Sequence, residues 1–182
     1  MSLTLLIGPA RSGKSALALQ MALAWSGDVT FIATAGARDE EMTTRIERHR
    51  TQRPPWWRTV EEPTLIGNKI ADVPGESFVI VDCLTLWVSN LLEHRLDSPR
   101  IEEMARETAK IAAAHSSPVV IVINEVGAGI VPLDASVRAY QDLLGSVNRI
   151  FAEQADDVLL IAAGRVLKLA RPEEVVPHLL DR

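Results

Sequence analysis

The length of 182 residues predicts a single domain over residues 1–182, and a composition of 47% hydrophobic and 24% charged residues argues against an intrinsically disordered chain. Its formal net charge of −5 argues against a general nucleic-acid or anionic-membrane surface. The single cysteine, Cys83, rules out an internal disulfide and fits a reducing compartment. No apolar run reaches the roughly 18 residues that span a bilayer, and no basic residue introduces the apolar stretch at 3–7 as in a signal peptide. We therefore expect a cytoplasmic protein without a membrane span.

A phosphate-binding motif opens the chain. Residues 3–15 read Leu-Thr-Leu-Leu-Ile-Gly-Pro-Ala-Arg-Ser-Gly-Lys-Ser, in which Gly8, Gly13, Lys14 and Ser15 have the spacing G-x-x-x-x-G-K-[ST]. The glycines accept backbone angles that turn successive N–H groups towards a phosphate. Lys14 is expected to reach the β- and γ-phosphates, and the Ser15 hydroxyl to bind Mg²⁺. A chance match is the alternative, but an apolar strand before the motif and a helical pattern after it favour a nucleotide site.

The segments after this motif predict a parallel sheet. Residues 15–25 are rich in leucine and alanine and contain neither glycine nor proline, which is typical of a helix. Residues 29–34, Val-Thr-Phe-Ile-Ala-Thr, form a β-branched run typical of a strand. A strand, a helix and a second strand at this spacing make a βαβ unit, and such units build parallel sheets.

An arginine-rich helix that contains His49 is expected next. Asp39 is a suitable N-cap for this helix, and Pro54 ends it. Met42, Ile46 and His49 are spaced i, i+4 and i+7 and therefore share one helical face.

The surroundings of His49 allow more than one interpretation. A histidine on an apolar helical face is commonly a boundary residue of the core. Arg48, Arg50 and Arg53 lie within four positions, however, and nearby cations favour the neutral ring and also bind phosphates. A neutral imidazole can displace pyrophosphate and carry a nucleotidyl group. The whole segment 45–58 contains five arginines and two tryptophans, so a solvated helix face or a surface for single-stranded nucleic acid are further alternatives.

The remaining pattern completes an α/β sheet. It predicts strands at 77–82, 119–124 and 158–163, a short edge strand at 166–169, and helices at 84–96, 101–115 and 134–154. Five strands with intervening helices give a doubly wound sheet, in which ligands bind beyond the carboxyl ends of the strands. The polar residues expected to meet in that crevice are Ser12 to Ser15, Thr34, Asp82, Asn124 and Glu125.

Two carboxylates in this crevice are candidates for the chemistry. Asp82 ends an apolar strand, which is the arrangement of the acidic residue that holds Mg²⁺ in nucleoside-triphosphate sites. It is also a candidate N-cap for the following helix. Glu125 follows the most apolar strand and is a candidate acceptor for the proton of an attacking hydroxyl. Capping the next segment or pairing with an arginine are the alternative roles of Glu125.

Several stretches together resemble one family, the bifunctional adenosylcobinamide kinase/adenosylcobinamide-phosphate guanylyltransferases of cobalamin assembly. The stretches that carry the resemblance run through most of the chain, and they are Gly8 to Ser15, Phe31 to Thr34, Asp39, Glu41, Met42, Arg45, Ile46, His49, Arg53, Pro54, Trp57 to Thr59, Val81 to Thr85, Ser89 to Leu92, Asn124 to Pro132, Asp142, Gly145 and Asn148.

The resemblance implies a two-step enzyme. The first step phosphorylates the aminopropanol hydroxyl of adenosylcobinamide with ATP or GTP, and the second transfers GMP from GTP to that phosphate through a guanylylated histidine, which falls on His49. The implied fold is a RecA-like P-loop NTPase, a doubly wound and mainly parallel sheet with flanking helices, assembled as a homotrimer. Lys14 and Glu125 complete the expected catalytic set, and Ser15 and Asp82 are expected to hold Mg²⁺ through the nucleotide. The expected nucleotide contacts are Gly8, Pro9, Ala10, Arg11, Ser12, Gly13, Lys14, Ser15, Ala33, Thr34, Ala35, Arg50, Thr51, Gln52, Arg53, Glu61 and Asp82.

The chain departs from the family pattern at two positions. Pro9 stands where many members have glycine, and it removes one N–H from the phosphate loop. Asp82 stands where relatives often have glutamate, which leaves both a magnesium and a guanine contact open. Two other functions remain as alternatives at this stage, namely a different small-molecule P-loop kinase and a nucleotide-switched ATPase that binds nucleic acid.

Overall fold

The computed structural model describes residues 2–36 and 40–180. Its strands are β1 (Leu3–Gly8), β2 (Val29–Ala33), β3 (Arg58–Glu61), β4 (Phe78–Asp82), β5 (Val119–Asn124), β6 (Asp157–Ala162) and β7 (Arg165–Lys168). Its helices are α1 (Lys14–Leu23), α2 (Glu40–Thr51), α3 (Ile66–Ala71), α4 (Leu84–Glu93), α5 (Ser98–Ala114), α6 (Ala135–Gln154) and α7 (Pro172–Leu180).

The seven strands form a mainly parallel sheet in the order β3-β2-β4-β5-β1-β6-β7. Neighbouring strands are parallel except for β7, which pairs antiparallel with β6 at one edge. Gly8 lies opposite Asn124, and Ala33 lies opposite both Asp82 and Glu61. Because these residues end their strands in register, the segments that follow them leave from one edge, which we call the carboxyl edge of the sheet. The sequence-based prediction of a doubly wound α/β fold is confirmed.

Apolar side chains cover both faces of the central strands. Successive residues of a strand point to opposite faces, and accordingly Leu5 and Leu6 belong to two separate buried clusters. The larger cluster includes residues of α3, α4, α5 and α6 around Trp87, and the smaller one joins α1 to Phe31 and Trp57. The four residues from Phe78 to Val81 are buried, which explains why β4 is an uninterrupted apolar run rather than an alternating one.

Several boundaries differ from the sequence-based predictions. The pattern did not predict β3, α3 or α7. The helix predicted at 101–115 begins earlier, at Ser98, because the side chain of Asp97 accepts a hydrogen bond from the Arg100 N–H at 3.0 Å and proline is tolerated in a first turn. The cap predicted at Asp39 lies outside the described residues. No helix within residues 2–36 and 40–180 has the length and apolarity needed to cross a bilayer.

Candidate nucleotide site

The phosphate loop, residues 8–15, connects β1 to α1 and depends on two glycines. Gly8 has φ +155° and Gly13 has φ +105°, values that side-chain-bearing residues rarely adopt. A Cβ at Gly8 would also meet the backbone carbonyl oxygen of Ile161 in β6. The N–H of Gly164 donates to the Ser12 carbonyl at 3.0 Å. The loop is therefore held in a tight curve against β6 and the turn that follows it.

The side chain of Lys14 lies inside this curve. It is buried, and its Nζ donates to the carbonyl oxygens of Gly8 at 2.8 Å and Pro9 at 2.6 Å, with Ser12 Oγ at 3.3 Å. An ammonium group is a compact charge with three donors, so a phosphate entering the loop meets a cation that is already positioned. The N-terminus of α1 begins at the same place and adds its positive dipole end.

A cavity of about 550 Å³ opens over the phosphate loop. It brings together Lys14 and Ser15 from the loop, Asp82 from the end of β4, and His49 from α2. The residues that line it are Arg11, Ser12, Gly13, Lys14, Ser15, Ala16, Ala35, Met42, Thr44, Ile46, Arg48, His49, Gln52, Asp82, Cys83, Leu86, Val122 and Asn124. The volume is in the range of sites for small ligands, and the polar lining is concentrated on the loop and on α2.

The end of α2 that carries His49 is anchored by Arg53. The Nε of Arg53 donates to the His49 carbonyl at 3.1 Å, and Nη1 donates to Thr59 Oγ1 at 3.3 Å. The guanidinium carbon lies 4.0 Å from the centre of the Phe31 ring, a cation–π distance. Burial lowers the pKa of Arg53, while the charge of Asp82 acts in the opposite direction, and an arginine remains a cation throughout. Arg53 thus attaches α2 to β2 and β3.

A hydrogen-bond network fixes the backbone around Asp82. The Oγ1 of Thr34 accepts from the Cys83 N–H at 2.8 Å and donates to the Cys83 carbonyl at 2.7 Å. The side-chain amide of Asn90 donates to the carbonyls of Thr34 at 2.9 Å and Pro63 at 2.8 Å. Burial, followed by the nearby charge of Asp82, raises the pKa of the Cys83 thiol to about 11. The thiol therefore lines the cavity as a neutral group.

Glu125 lies beside the phosphate loop and outside the cavity lining. Its backbone N–H donates to the Gly8 carbonyl at 3.0 Å. Its carboxylate accepts from the Gly127 N–H at 2.6 Å and from the Asn148 side-chain amide at 3.4 Å. The preceding residue, Asn124, does line the cavity. The carboxylate is therefore held beside the site at the point where the β5–α6 connection begins.

The structure brings many of the residues expected at the site into one cavity. Those that line it are Arg11, Ser12, Gly13, Lys14, Ser15, Ala35, His49, Gln52 and Asp82. Those outside its lining are Gly8, Pro9, Ala10, Ala33, Thr34, Arg50, Thr51, Arg53, Glu61 and Glu125. Gly8 and Pro9 belong to the loop itself, and Thr34 is fully buried in the network around Cys83. For the residues outside the lining, the assignment as nucleotide contacts, and for Glu125 the assignment as a catalytic residue, stays a prediction.

Sequence reasoning missed some of the residues that shape the cavity. Leu86 and Val122 contribute apolar lining from α4 and β5, and Thr44 contributes a hydroxyl from α2. Met42 and Ile46 were recognised as sharing a face with His49, and that face does line the cavity. The signal for Leu86 was its position four residues after Asp82, in the first turn of α4, because such a turn at the carboxyl edge borders any bound ligand.

Comparison with known proteins shows the family of this chain. Residues 4–169 match the family described as cobinamide kinase / cobinamide phosphate guanyltransferase. The bifunctional adenosylcobalamin biosynthesis protein CobP of Pseudomonas aeruginosa is 39% identical over 168 residues, covering 91% of this chain and 95% of that protein. The corresponding CobU proteins of Escherichia coli and Salmonella typhimurium are 38% and 36% identical, and each comparison covers 91% of this chain and 98% of the relative.

Solved structures with the same fold are more distant in sequence. The RadB recombinase has a TM-score of 0.50 at 21% identity, covering 87% of this chain and 73% of that one. An ATPase of the type III secretion system has a TM-score of 0.53 at 12% identity, covering 96% of this chain and 60% of that one. These likenesses support the RecA-like P-loop fold alone. The family match covers residues 4–169 and therefore most of the chain, and the phosphate loop and the cavity that Lys14 and His49 line are consistent with it. The chain belongs to the cobinamide kinase/cobinamide phosphate guanylyltransferase family.

Proposed function

We propose that this enzyme carries out both reactions through one nucleotide cavity, with His49 as the guanylyl carrier. In the first reaction the aminopropanol hydroxyl of adenosylcobinamide takes the γ-phosphoryl group of ATP or GTP. In the second, GMP passes from GTP to the new phosphate, giving adenosylcobinamide-GDP and pyrophosphate. The observation that carries the proposal is that Lys14 and His49 line the same cavity.

Lys14 and the phosphate loop would position the triphosphate for the kinase step. A positioned ammonium and inward N–H groups stabilise the charge that develops during phosphoryl transfer. The Ser15 hydroxyl and the Asp82 carboxylate both line the cavity and are oxygen donors of the kind that Mg²⁺ prefers, so they fit the metal expected here. When bound, Mg²⁺ neutralises charge on the phosphate oxygens.

His49 would act as the nucleophile of the second reaction. A ring nitrogen attacks the α-phosphorus of GTP, the bond from that phosphorus to the bridging oxygen breaks, and pyrophosphate leaves. A phosphate oxygen of the cobinamide phosphate then attacks the same phosphorus, the P–N bond breaks, and the imidazole is restored. Arg48, which also lines the cavity, would balance the phosphate charge beside the ring.

Glu125 would act on the acceptor. Its carboxylate is held by the Gly127 N–H and the Asn148 amide beside the phosphate loop. From this position it is a candidate to accept the hydroxyl proton as the γ-phosphoryl group is transferred. The predicted contacts outside the cavity lining stay part of this proposal, and they are Gly8, Pro9, Ala10, Ala33, Thr34, Arg50, Thr51, Arg53 and Glu61.

We further infer a cytoplasmic homotrimer. Val166 and Leu167 are exposed on the edge strand β7, which supports contact between copies of the chain. Static light scattering of the purified protein tests the assembly, and a mass of three chains is the expected result.

Labelling with α-³²P GTP tests the guanylyl-histidine directly. The wild type should retain acid-labile, alkali-stable label that maps to the peptide containing His49. His49→Ala should lose the label and keep its kinase activity, whereas the matched variant His94→Ala, at an exposed histidine outside the cavity lining, should keep both. Undiminished labelling of His49→Ala would remove this residue from the mechanism and leave only a kinase at the phosphate loop.

A further inference from the structure

The connection between β5 and α6 exposes large apolar side chains to solvent. We call residues 126–134 the apolar loop. Ile130 is 95% exposed, Val131 73% and Leu133 99%. No residue from 126 to 133 carries a charge. Contiguous exposed apolar groups of this kind mark a contact surface, because their burial against a partner removes apolar area from water.

The apolar loop is held at both ends by α6. The Gln141 side-chain amide donates to the Val126 carbonyl at 2.8 Å. The guanidinium of Arg138 donates to the carbonyls of Pro132 and Leu133, each at 2.7 Å. Asp134 caps α6 by accepting from the Ser136 N–H at 2.7 Å. These bonds fix the backbone on either side of the exposed side chains, so the chain presents them in a defined shape.

The apolar loop continues directly from the nucleotide cavity. Asn124 lines the cavity, and the next residue, Glu125, donates its backbone N–H to Gly8 of the phosphate loop. On the other side, the Tyr140 hydroxyl donates to the Thr85 carbonyl at 3.0 Å, which places the start of α6 beside the start of α4. The neighbour of Thr85, Leu86, lines the cavity. The apolar loop therefore begins beside the nucleotide cavity, and the helix that follows it contacts a residue next to the cavity lining.

We propose that the apolar loop binds the macrocycle of the corrinoid acceptor, an inference that rests on the proposed function. A cavity of about 550 Å³ is of the size that holds one small ligand such as a nucleoside triphosphate, so we expect the much larger corrinoid to lie on the adjoining surface. A corrin ring has broad hydrocarbon faces and a rim of amides, which match exposed aliphatic side chains next to backbone carbonyls. A second copy of the chain is a weaker occupant, because three side chains offer far less than the roughly 800 Å² per partner of a stable interface.

Equilibrium dialysis of cobinamide, followed by its corrin absorbance, tests this surface. The double variant Ile130→Ser/Leu133→Ser should raise the dissociation constant for cobinamide at least about tenfold, since it removes the apolar area that the ring would cover. Both side chains are almost fully exposed, and the hydrogen bonds that hold the apolar loop are made by backbone carbonyls. We therefore expect both substitutions to leave folding unaffected. The control Leu23→Ser changes a leucine that is 59% exposed at the other end of α1, and it should leave the dissociation constant unchanged.

Three outcomes separate this proposal from the function on which it rests. Unchanged cobinamide affinity in the double variant, with normal turnover, would overturn the surface and leave the proposed function standing. A change in the assembled mass of the double variant would also overturn it, because the apolar loop would then lie between copies of the chain. Wild-type protein that binds cobinamide through this loop without phosphorylating it would refute the proposed function and retain the binding surface.

Discussion

The two sides of the nucleotide cavity are built differently. On one side, the phosphate loop lies between β1 and α1, Lys14 is buried, and Ala18 and Ala22 of α1 pack into the core. On the other side, α2 carries Met42, Ile46 and His49 towards the cavity, and none of its described side chains is fully buried. Arg53, just beyond the helix, attaches it to Phe31 and Thr59.

Because of this difference, we expect substitutions in the phosphate loop and substitutions on α2 to have different effects. A change in the phosphate loop alters backbone and side chains that also belong to the core, so it affects both folding and nucleotide binding. A change on α2 alters groups that contact the cavity while contributing little buried area, so it affects chemistry with little effect on folding. If the proposed function is right, we expect the kinase step to proceed without His49 of α2, whereas guanylyl transfer should need both sides.

The largest effect is expected from Gly8→Ala. A Cβ at position 8 would meet the Ile161 carbonyl oxygen, and alanine would be forced to adopt a φ of +155° that residues with side chains disfavour. The free energy of unfolding should therefore fall by about 3 kcal/mol. Both activities should be lost as well. Urea unfolding monitored by circular dichroism measures the first effect. The matched control Gly145→Ala, in α6 with no atom within 4 Å of the added Cβ, should gain about 0.5–1 kcal/mol. Equal stability of the two variants would contradict a phosphate loop built into the core.

The contrast between Lys14→Ala and His49→Ala should distinguish the phosphate-loop side of the cavity from the α2 side by their activities. Both the kinase and the guanylyl-transfer rates should fall by about 10²–10³, because one positioned donor to the phosphates is lost. His49→Ala should lose guanylyl transfer alone and should change the free energy of unfolding by less than about 0.5 kcal/mol. Steady-state assays of each half-reaction measure the contrast. Loss of kinase activity in His49→Ala would show that the two sides do not act separately.

Arg53→Ala should weaken the attachment of α2. The substitution removes the cation–π contact with Phe31 and the hydrogen bonds to the His49 carbonyl and Thr59. Labelling by GTP should therefore slow by about tenfold, and the free energy of unfolding should fall by about 1 kcal/mol. Arg53→Lys should not restore labelling, because an ammonium group cannot make the same planar set of contacts. Full labelling by Arg53→Ala would mean that α2 is positioned by other contacts.

A loss of stability is also expected at alkaline pH. Burial raises the pKa of Cys83 to about 11 and that of Tyr140 to about 12. The unfolded chain releases these protons at lower pH than the folded chain, so stability is complete below pH 9 and falls as pH rises from about 9 to about 12. Thermal unfolding across this range should show the decline, and Cys83→Ala should reduce its slope. An unchanged slope would remove the thiol from the pH dependence.

Sequence reasoning predicted the strands of the central sheet and the phosphate loop because each has a strong local signature. Apolar runs such as 119–124 lie between covered faces, and the loop spacing is set by the phosphate it holds. It missed β3 because Arg58–Glu61 is short, charged and largely exposed, and becomes a strand through pairing with β2. It missed α3 because six residues are too few to show a helical period.

Part of the candidate site could be predicted because the strands that carry it were themselves predicted. The parallel sheet brings the ends of β1, β4 and β5 to the same edge, so Lys14, Asp82 and Asn124 could be expected to meet. The helical period also placed Met42, Ile46 and His49 on one face. Where that face lies depends on Arg53 packing over Phe31, a contact between residues 22 positions apart that no local pattern reveals. The arginines around His49 suggested a nucleotidyl carrier, and the resemblance to the family then assigned the guanylyl group to this histidine.

The central claim is that His49 and Lys14 contact the same bound triphosphate. A crystal structure with a GTP analogue that resists cleavage between the α- and β-phosphates tests it most directly. We predict a single nucleotide, with Lys14 Nζ at a hydrogen-bonding distance of about 3 Å from a β- or γ-phosphate oxygen and a ring nitrogen of His49 about 3.5 Å from the α-phosphorus. A nucleotide bound at Lys14 with the His49 ring directed away from it would contradict the claim.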